Sequence, residues 1–545
     1  MRLLLFASLV FLGCSGSSAD DLTAPPPVEN TPPASATEDP PTVPPVADPP
    51  EVVTIDSGKI KGVLDGDAIV WKGIPYAAPP VGALRWKDPA PVTPWTDVRD
   101  ATKFGAECIQ TAPDTSQATG GSEDCLTLNV WRPKGAPPAG GWPVMFYIHG
   151  GYNIRGSSSY EIEPGKLAYD GKALVAQGVV FVSINYRVGA LGWMAHSALR
   201  GESALARSGN YGALDQIEAL KWVKRNAQAF GADPARVLVF GQSAGSTNTC
   251  TMVMSPLASG LLSGAMMHSG MCTARPMQMA EEAGTKLAEK LGCTSDVLTC
   301  LRAKPASEIA SAMTLDFKVG GFSWGPVVDG YVLPAPPAAL VAAKKHNKVP
   351  VIIGTTAHEF TTLWRSAFPA IPFPQSANDH ENAMSSIFGP TYGPQVSAKY
   401  PASSYGSPAL ASIAATSDAY VTCPARALAR ALAASQDAPV RRFYFTHVMT
   451  TGPARALGAA HGFDMLFTFA TYPLSQWTPT PSEKALSAEM IGYATRFAKT
   501  GDPNGGSSTA WPPYDAALDT HLVLDDTITL GTQLRTSECD FWSTL

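Results

Sequence analysis

Short, continuous apolar runs recur along the chain, and stretches with helical spacing separate them. The runs occupy positions 144–148, 179–184, 237–240, 349–353 and 442–445. Runs of this kind are typical of strands buried on both faces of a parallel sheet. Between two of them, positions 211–230 place Leu214, Ile217 and Leu220 along one helical face. The alternation predicts an α/β fold with a large, mostly parallel twisted sheet covered by helices on both faces, and ligands bound beyond the carboxyl ends of its strands.

The first residues have the pattern of an export signal. Arg2 precedes an apolar run over positions 3–12 that is too short to span a bilayer. Because positions 11–14 resemble a bacterial lipobox, we expect residues 1–13 to be a signal peptide and Cys14 to be lipidated. The chain is then exported and lipid-anchored in the cell envelope, at the outer membrane, or else secreted after ordinary signal cleavage.

Composition divides the remainder of the chain in two. Residues 14–50 are rich in Pro, Ala, Thr and acidic residues and contain no Lys or Arg, which predicts a disordered linker. Residues 51–545 have globular composition and predict one folded domain. The net charge of −6 with no basic patch argues against nucleic acid as a partner. No later segment is apolar enough to cross a bilayer, so we expect the protein to contact a membrane only through its lipid anchor. The sequence leaves the oligomeric state open.

Cysteine usage agrees with export. Besides Cys14 the chain has eight cysteines, and an even number in an exported chain predicts disulfides, although eight cysteines allow 105 pairings. The cysteines show no CxxC pair and no histidine at ligand spacing, so the sequence predicts no metal and no cofactor.

The pentapeptide Gly241-Gln242-Ser243-Ala244-Gly245 carries the strongest chemical signal. It follows the apolar run 237–240 and precedes a helical stretch with small residues. Strand, sharp turn and helix form the context in which a GxSxG serine becomes an exposed nucleophile. We therefore predict that Ser243 is the nucleophile, with small neighbours required by a strained turn.

A glycine-rich loop follows an earlier strand and predicts the oxyanion donors. His149-Gly150-Gly151 comes directly after the run 144–148. Such a loop presents backbone N–H groups to a tetrahedral intermediate. The expected donors are Gly151, Tyr152 and Ala244, the last at the start of the helix after Ser243.

A serine nucleophile needs a histidine base and a carboxylate that orients it. His461 lies in a small-residue loop after the run 442–445, and Glu359 follows the run 349–353. The chain order serine, acid, histidine suits this fold. His358, Asp329 and Asp464 are the alternatives that we weigh against these two residues.

Several longer blocks resemble the type B carboxylesterase family, which includes para-nitrobenzyl esterases and cholinesterases. These blocks cover positions 73–85, 123–130, 185–189, 209–216 and 230–245. The resemblance implies an α/β-hydrolase fold and a catalytic domain at 51–545. It gives Ser243, Glu359 and His461 the roles of nucleophile, acid and base. It also implies that Ser269 helps to hold the acid, Glu359, in position.

The resemblance also implies pairings for the cysteines and two ion pairs. Cys108–Cys125, Cys293–Cys300 and Cys423–Cys539 correspond to disulfides of the family, which leaves Cys250–Cys272 as the fourth. Arg85 with Glu123 and Arg187 with Asp215 resemble its structural ion pairs.

Three positions depart from the family pattern. Tyr152 stands where Gly or Ala is usual, and its side chain is expected to narrow the oxyanion hole formed by the three N–H donors. Gln242 replaces the common Glu before the nucleophile, which weakens attraction for cationic substrates. Since no Trp lies between Cys108 and Cys125, recognition of a quaternary ammonium is not expected.

The sequence thus predicts a general carboxylesterase of small to medium esters, with Phe322, Trp324 and Phe360 as candidate substrate contacts. Each of these aromatics has a core role as its alternative. Two other functions remain open: a lipase-like esterase with positions 360–373 as a lid, or a non-catalytic binding protein on the same scaffold.

Overall fold

A computed structural model describes residues 50–111, 118–313, 317–318, 321–472, 477–506 and 508–545 of the chain. For residues 111, 118–119, 317–318 and 321–322 the description covers the main chain alone. The predicted signal peptide, most of the predicted linker and Cys14 therefore lie outside the described residues, as does the side chain of Phe322.

The centre of the fold is an 11-stranded sheet. Its strands in chain order are β1 (Val63–Asp65), β2 (Ala68–Pro75), β3 (Thr127–Pro133), β4 (Trp142–Ile148), β5 (Val180–Ile184), β6 (Ala232–Gln242), β7 (Gly264–His268), β8 (Val351–Thr356), β9 (Val440–Phe445), β10 (His521–Leu524) and β11 (Thr529–Gly531). The spatial order is β11-β10-β9-β8-β7-β6-β4-β5-β3-β2-β1. The seven strands from β10 to β5 are parallel, and the outermost pairings on both sides are antiparallel.

Helices connect and cover these strands. They are α1 (Lys172–Val175), α2 (Gly189–Trp193), α3 (Ser197–Glu202), α4 (Tyr211–Asn226), α5 (Ala244–Met254), α6 (Met277–Lys290), α7 (Val297–Ala303), α8 (Ala306–Ala312), α9 (Pro337–Ala342), α10 (Phe360–Ala367), α11 (Ala377–Lys399), α12 (Pro408–Ser417), α13 (Cys423–Ser435), α14 (Phe463–Thr468), α15 (Pro481–Thr500) and α16 (Thr536–Trp542). The π-helical turn Asp418–Thr422 joins α12 to α13. None of the helices in the described part of the chain combines the length and the apolar composition of a bilayer crossing.

Small strands and turns complete the described chain. The remaining strands form sheets of two or three: Val52–Ile55, Gly58–Lys61, Arg99–Asp100, Gln110–Thr111, Ala118–Gly120, Glu161–Glu163, Lys166–Leu167, Arg275–Pro276, Phe317–Lys318, Gly321–Phe322 and Val327–Val328. Short 3₁₀ turns occupy Gly82–Leu84, Ala227–Phe230, Pro256–Ala258, Ala402–Ser404 and Pro453–Leu457.

Two hydrophobic layers enclose the sheet because successive side chains of a strand point to opposite faces. In β4, Phe146 and Ile148 join the layer formed with α4, α5 and α13, whereas Met145 and Tyr147 join the layer formed with α14 and α15. Strands buried on both faces can be apolar at every position, which explains the continuous runs in the sequence. The predicted fold class is confirmed.

Covalent and ionic links tie distant segments of this fold together. The structure contains four disulfides: Cys108–Cys125, Cys250–Cys272, Cys293–Cys300 and Cys423–Cys539. They are the pairs that the family resemblance implies, and they are typical of an exported protein. Arg187 and Asp215 form a buried ion pair at 2.6 Å, and Arg85 pairs with Glu123 at the same distance.

Candidate active site

Ser243 occupies the sharp turn between β6 and α5. Its φ of 60° and ψ of −125° are strained for a residue with a side chain. The Ser243 N–H donates a hydrogen bond of 2.8 Å to the carbonyl oxygen of His268, at the end of β7. This bond fixes the turn at the carboxyl edge of the parallel strands, and Ser243 lines the cavity beyond that edge.

The two glycines of the pentapeptide are required by close backbone packing. A Cβ atom at Gly241 would lie 2.7 Å from the carbonyl oxygen of Ile148, and one at Gly245 would lie 2.7 Å from that of His149. A Cβ at Gly150, in turn, would lie 3.1 Å from the Cβ of Ser243. The glycine-rich loop after β4 therefore packs directly against the turn that carries the serine.

A histidine and a carboxylate pair beside this turn. Nδ1 of His461 lies 2.5 Å from Oε2 of Glu359, whose side chain is fully buried. The other carboxylate oxygen accepts a hydrogen bond of 2.7 Å from the Thr356 N–H at the end of β8. Nε2 of His461 has no hydrogen-bond partner among the described residues, and His461 lines the same cavity as Ser243.

The residue next to the acid holds the loop that carries His461. The His358 N–H donates to the carbonyl oxygen of Ala459 at 2.9 Å, and its Nδ1 accepts from the Ala459 N–H at 3.1 Å. Burial lowers the pKa of His358, which favours the neutral ring that can accept this bond. His358 therefore contacts the main chain of the loop and stays apart from the Glu359–His461 bond.

The alternative acids make other bonds. Asp464 Oδ2 lies 2.7 Å from Nδ1 of His268, and both side chains are buried. Asp329 accepts the N–H groups of Tyr331 and Leu333, each at 3.0 Å, within a turn. The pairing of Asp464 with His268 has no local signal in the sequence, since the two residues are 196 positions apart.

The three expected oxyanion donors lie at this end of the sheet. Ala244 is the first residue of α5, and neither its N–H nor that of Gly151 donates to another residue in the described part of the chain. Gly151 has a φ of 108° and Tyr152 a φ of 61°. The guanidinium of Arg155 lies 5.3 Å from the centre of the Tyr152 ring, so the ring is held at the cavity wall.

The neighbouring His149 is neutral. Its ring is buried and stacks on Tyr186 with ring centres 4.3 Å apart. Burial lowers the pKa of His149 to about 4. The His149 ring therefore adds no positive charge near Ser243 at neutral pH.

A cavity opens in front of Ser243 and His461. Its wall is mainly apolar, with Tyr152, Met271, Trp324, Phe360, Leu363 and Tyr420 among the lining residues. Trp324 and Phe360 are thus at the cavity, as the sequence predicts. Met271, Leu363 and Tyr420 are missed by the sequence analysis, because they come from segments without a motif.

Charged groups are scarce in this cavity. The described lining residues include no carboxylate, and the guanidinium of Arg275 donates to the carbonyl oxygens of Ser323 and Met279. Ser269 also lines the cavity, and its N–H donates to the carbonyl oxygen of Gly354 at 2.8 Å. The Ser269 hydroxyl is buried without a hydrogen-bond partner among the described residues.

A serine at a strand–helix turn, beside a histidine–glutamate pair on a mostly parallel sheet, defines the α/β-hydrolase class. Comparison with known proteins agrees. A family model described as "Carboxylesterase family" matches residues 49–542. The chain therefore belongs to the carboxylesterase family and is a carboxylic ester hydrolase, which confirms the resemblance found in the sequence.

Individual relatives cover nearly the whole length. Para-nitrobenzyl esterase of Bacillus subtilis (strain 168) is 33% identical over 88% of this chain and 96% of the relative. Fumonisin B1 esterase of Sphingopyxis macrogoltabida is 34% identical over 90% and 88%. A solved thermophilic PNB esterase structure matches with a TM-score of 0.77 and 31% identity, and covers 91% of this chain and 100% of that one.

Proposed function

We propose that the protein is a general carboxylesterase in which Ser243 is the nucleophile, His461 the general base and acid, and Glu359 the residue that orients the base. One observation carries this proposal. His461 uses Nδ1 for Glu359, while its Nε2 has no partner among the described residues and His461 lines the cavity that Ser243 lines. With Nδ1 engaged by Glu359, Nε2 is the ring nitrogen left to take a proton from the serine.

Acylation then proceeds in two proton transfers. The Ser243 hydroxyl gives its proton to Nε2 of His461 as its oxygen attacks the ester carbonyl carbon. The N–H groups of Gly151, Tyr152 and Ala244 donate to the oxyanion of the tetrahedral intermediate, each worth about 3 kcal/mol. The intermediate collapses, the C–O bond to the alcohol breaks, and the departing oxygen takes the proton from His461.

Deacylation repeats these steps with water. His461 takes a proton from water as its oxygen attacks the acyl-enzyme carbonyl, and the same three donors bind the oxyanion. The bond to Ser243 breaks, and its oxygen regains the proton from His461. Ser269 supports the acid side in this proposal, because its N–H holds Gly354 of β8, the strand from which Thr356 binds Glu359.

The preferred substrates in this proposal are uncharged esters of small to medium size. The cavity wall is mainly apolar, and Trp324 and Phe360, which line it, are proposed as substrate contacts. No carboxylate occurs among its described lining residues, and Gln242 is neutral, so a cationic alcohol group gains little. Para-nitrobenzyl and p-nitrophenyl esters are suitable probes, since one relative is named for the former.

The test of the mechanism is labelling with a fluorophosphonate followed by peptide mapping. We expect label on Ser243, and none in Ser243→Ala, which also loses p-nitrophenyl acetate turnover with unchanged thermal stability. Ser246→Ala is the matched control, because this serine lies on the same helix without lining the cavity. Retained turnover in Ser243→Ala contradicts the proposal.

A panel of esters tests the cavity. We expect turnover to fall as the acyl chain becomes too long for the cavity, and choline esters to show no advantage over neutral esters of equal size. A preference for choline esters contradicts the proposed selectivity.

The lipase alternative gains no support from positions 360–373. Phe360, Trp364 and Phe368 of this segment are buried, so their apolar side chains do not form an exposed lid. We expect no rise in activity when a short-chain ester passes its critical micelle concentration. The binding-protein alternative predicts no turnover at all.

We further propose that residues 1–13 are a signal peptide, that residues 14–50 link a lipidated Cys14 to a catalytic domain at 51–545, and that the protein is held in the outer membrane. The support is the lipobox-like sequence and the Pro-rich composition. Mass spectrometry of the N-terminal peptide from the membrane fraction tests this. Soluble enzyme with an unmodified N-terminus contradicts it.

A further inference from the structure

We propose that His447, Asp525 and Asp526 bind a divalent transition-metal cation of the zinc class, at a structural site separate from the ester-hydrolysing centre. Nδ1 of His447 and one oxygen of each aspartate lie within 4.8 Å of one another. The imidazole nitrogen selects zinc-like ions over Mg²⁺ or Ca²⁺, and carboxylate oxygens are also zinc ligands. The sequence analysis missed this set, because it searched for metal ligands around cysteines.

The fold brings these three side chains together at the ends of two adjacent parallel strands. Phe445 of β9 is in register with Leu524 of β10, and the Thr446 N–H donates to the Leu524 carbonyl oxygen at 3.0 Å. His447 directly follows Thr446, and Asp525 directly follows Leu524. The backbone hydrogen bond of Thr446 holds the two segments together directly before His447 and Asp525.

The distances fit a shared cation better than a direct hydrogen bond. Nδ1 of His447 lies 3.4 Å from Asp525 Oδ1 and 3.5 Å from Asp526 Oδ1. Both exceed the usual range for N–H···O bonds, about 2.7–3.2 Å. Ligand atoms about 2.1 Å from a tetrahedral zinc ion are about 3.4 Å from one another.

The other nitrogen of His447 has the partner that metal-bound histidines usually have. Nε2 lies 3.2 Å from Oε1 of Glu483, a fully buried carboxylate. Glu483 is itself held by the N–H groups of Thr450 at 2.9 Å and Thr480 at 2.7 Å. A carboxylate that accepts the Nε2 proton leaves the Nδ1 lone pair facing the two aspartates, as in carboxylate–histidine–zinc arrangements.

The charge of the cluster also calls for a cation. The carboxylates of Glu483, Asp525 and Asp526 surround a ring that is 1% exposed. No Lys or Arg in the described part of the chain forms an ion pair with these carboxylates. Asp525 and Asp526 are 42% and 52% exposed, so an ion can enter from solvent and complete its coordination with water.

The test uses the untagged full chain after chelator treatment, dialysed against about 10 µM free zinc and measured for bound metal. We expect one zinc per chain, a rise in Tm of about 2–5 °C, and unchanged esterase activity. Asp526→Asn should weaken zinc binding on the order of tenfold or more without unfolding, because its carboxylate makes no hydrogen bond within the described chain.

The control for zinc binding is the double variant Glu381→Gln, Asp437→Asn. Both of these side chains are exposed, and neither belongs to this cluster. The double variant removes more charge than Asp526→Asn and should bind zinc like the parent. No bound zinc in the parent, or equal affinity in Asp526→Asn, overturns the proposal. Binding to calcium but not zinc also overturns the assignment of a transition metal.

Discussion

Two buried histidine–carboxylate pairs flank the turn that carries Ser243, and they differ in one respect. His461 with Glu359 and His268 with Asp464 both bond through Nδ1, at 2.5 and 2.7 Å. His461 lines the cavity, whereas His268 lies at the end of β7 and is not among its lining residues. The carbonyl oxygen of His268 instead accepts the Ser243 N–H.

The difference teaches that access to substrate, and not the pairing itself, separates a chemical role from a positioning role. Asp464 lies in α14, directly after the loop that carries His461. The His268–Asp464 bond therefore links the turn of Ser243 to the chain segment that follows His461. In the proposed mechanism the His461–Glu359 pair moves a proton, whereas the His268–Asp464 pair holds the two segments of the site together.

The largest expected effect is a loss of activity on changing His461, which belongs to the pair that lines the cavity. We expect His461→Gln to lower kcat for p-nitrophenyl esters on the order of 10⁶-fold, because His461 is the one histidine among the described residues that line the cavity with Ser243. Thermal unfolding should stay within about 2 °C of the parent. Steady-state kinetics with active-site titration measures the loss, and a fall below a hundredfold argues that another group acts as the base.

The next effect concerns the acid of this pair. We expect Glu359→Gln to lower kcat by about 10⁴-fold, since a neutral amide no longer fixes the productive tautomer or stabilises the imidazolium. Glu359→Asp should recover part of the activity if charge matters more than reach. Equal losses in Gln and Asp variants, with loss of folded protein, would indicate a purely structural carboxylate.

Changing the His268–Asp464 pair should lower the stability of the protein more than its catalytic rate. We expect Asp464→Asn to reduce the free energy of unfolding by about 2 kcal/mol, because an amide replaces the buried carboxylate that bonds to Nδ1 of His268. The same variant should lose less than tenfold in kcat. Chemical denaturation with parallel kinetics tests the split, and a thousandfold loss in kcat at full stability contradicts the positioning role.

The smallest effect sharpens the description of the cavity. We expect Tyr152→Gly to change kcat/KM for small alcohol esters by less than about tenfold, because the backbone N–H remains. Turnover of esters with bulky alcohols should rise, since the ring no longer narrows the cavity. The ratio of the two specificity constants is the measurement, and an unchanged ratio removes Tyr152 as a size filter.

Local sequence predicted the parts of the fold that depend on local chemistry. The helical stretch predicted after Ser243 is α5, and the apolar runs at 144–148 and 237–240 lie inside β4 and β6. The predicted helix at 211–230 ends at Asn226 and continues as a 3₁₀ turn. The antiparallel strands β1–β3 were missed, because polar residues interrupt their apolar runs, such as Lys72 in β2 and Asn129 in β3.

Contacts between remote segments were harder to predict. β7 contains only five residues and begins with glycine, so its apolar run is hard to recognise in the sequence. The strand nevertheless ends at His268 and leads directly to Ser269. Glu359 and His461 were chosen by their positions after strands, but only the folded chain brings them within 2.5 Å. The His268–Asp464 bond and the His447 cluster join segments 196 and 78 residues apart, and no spacing rule covers such distances.

The disulfide Cys423–Cys539 has a consequence for proteolytic damage. Its two ends are 116 residues apart and enclose His461 and β9–β11 within one covalent ring. A protease that cuts the exposed turn near Gly452 leaves both fragments attached. Such nicked enzyme migrates as an intact chain until a thiol reagent is added, and His461 can remain at the cavity with Ser243 after the backbone has been severed.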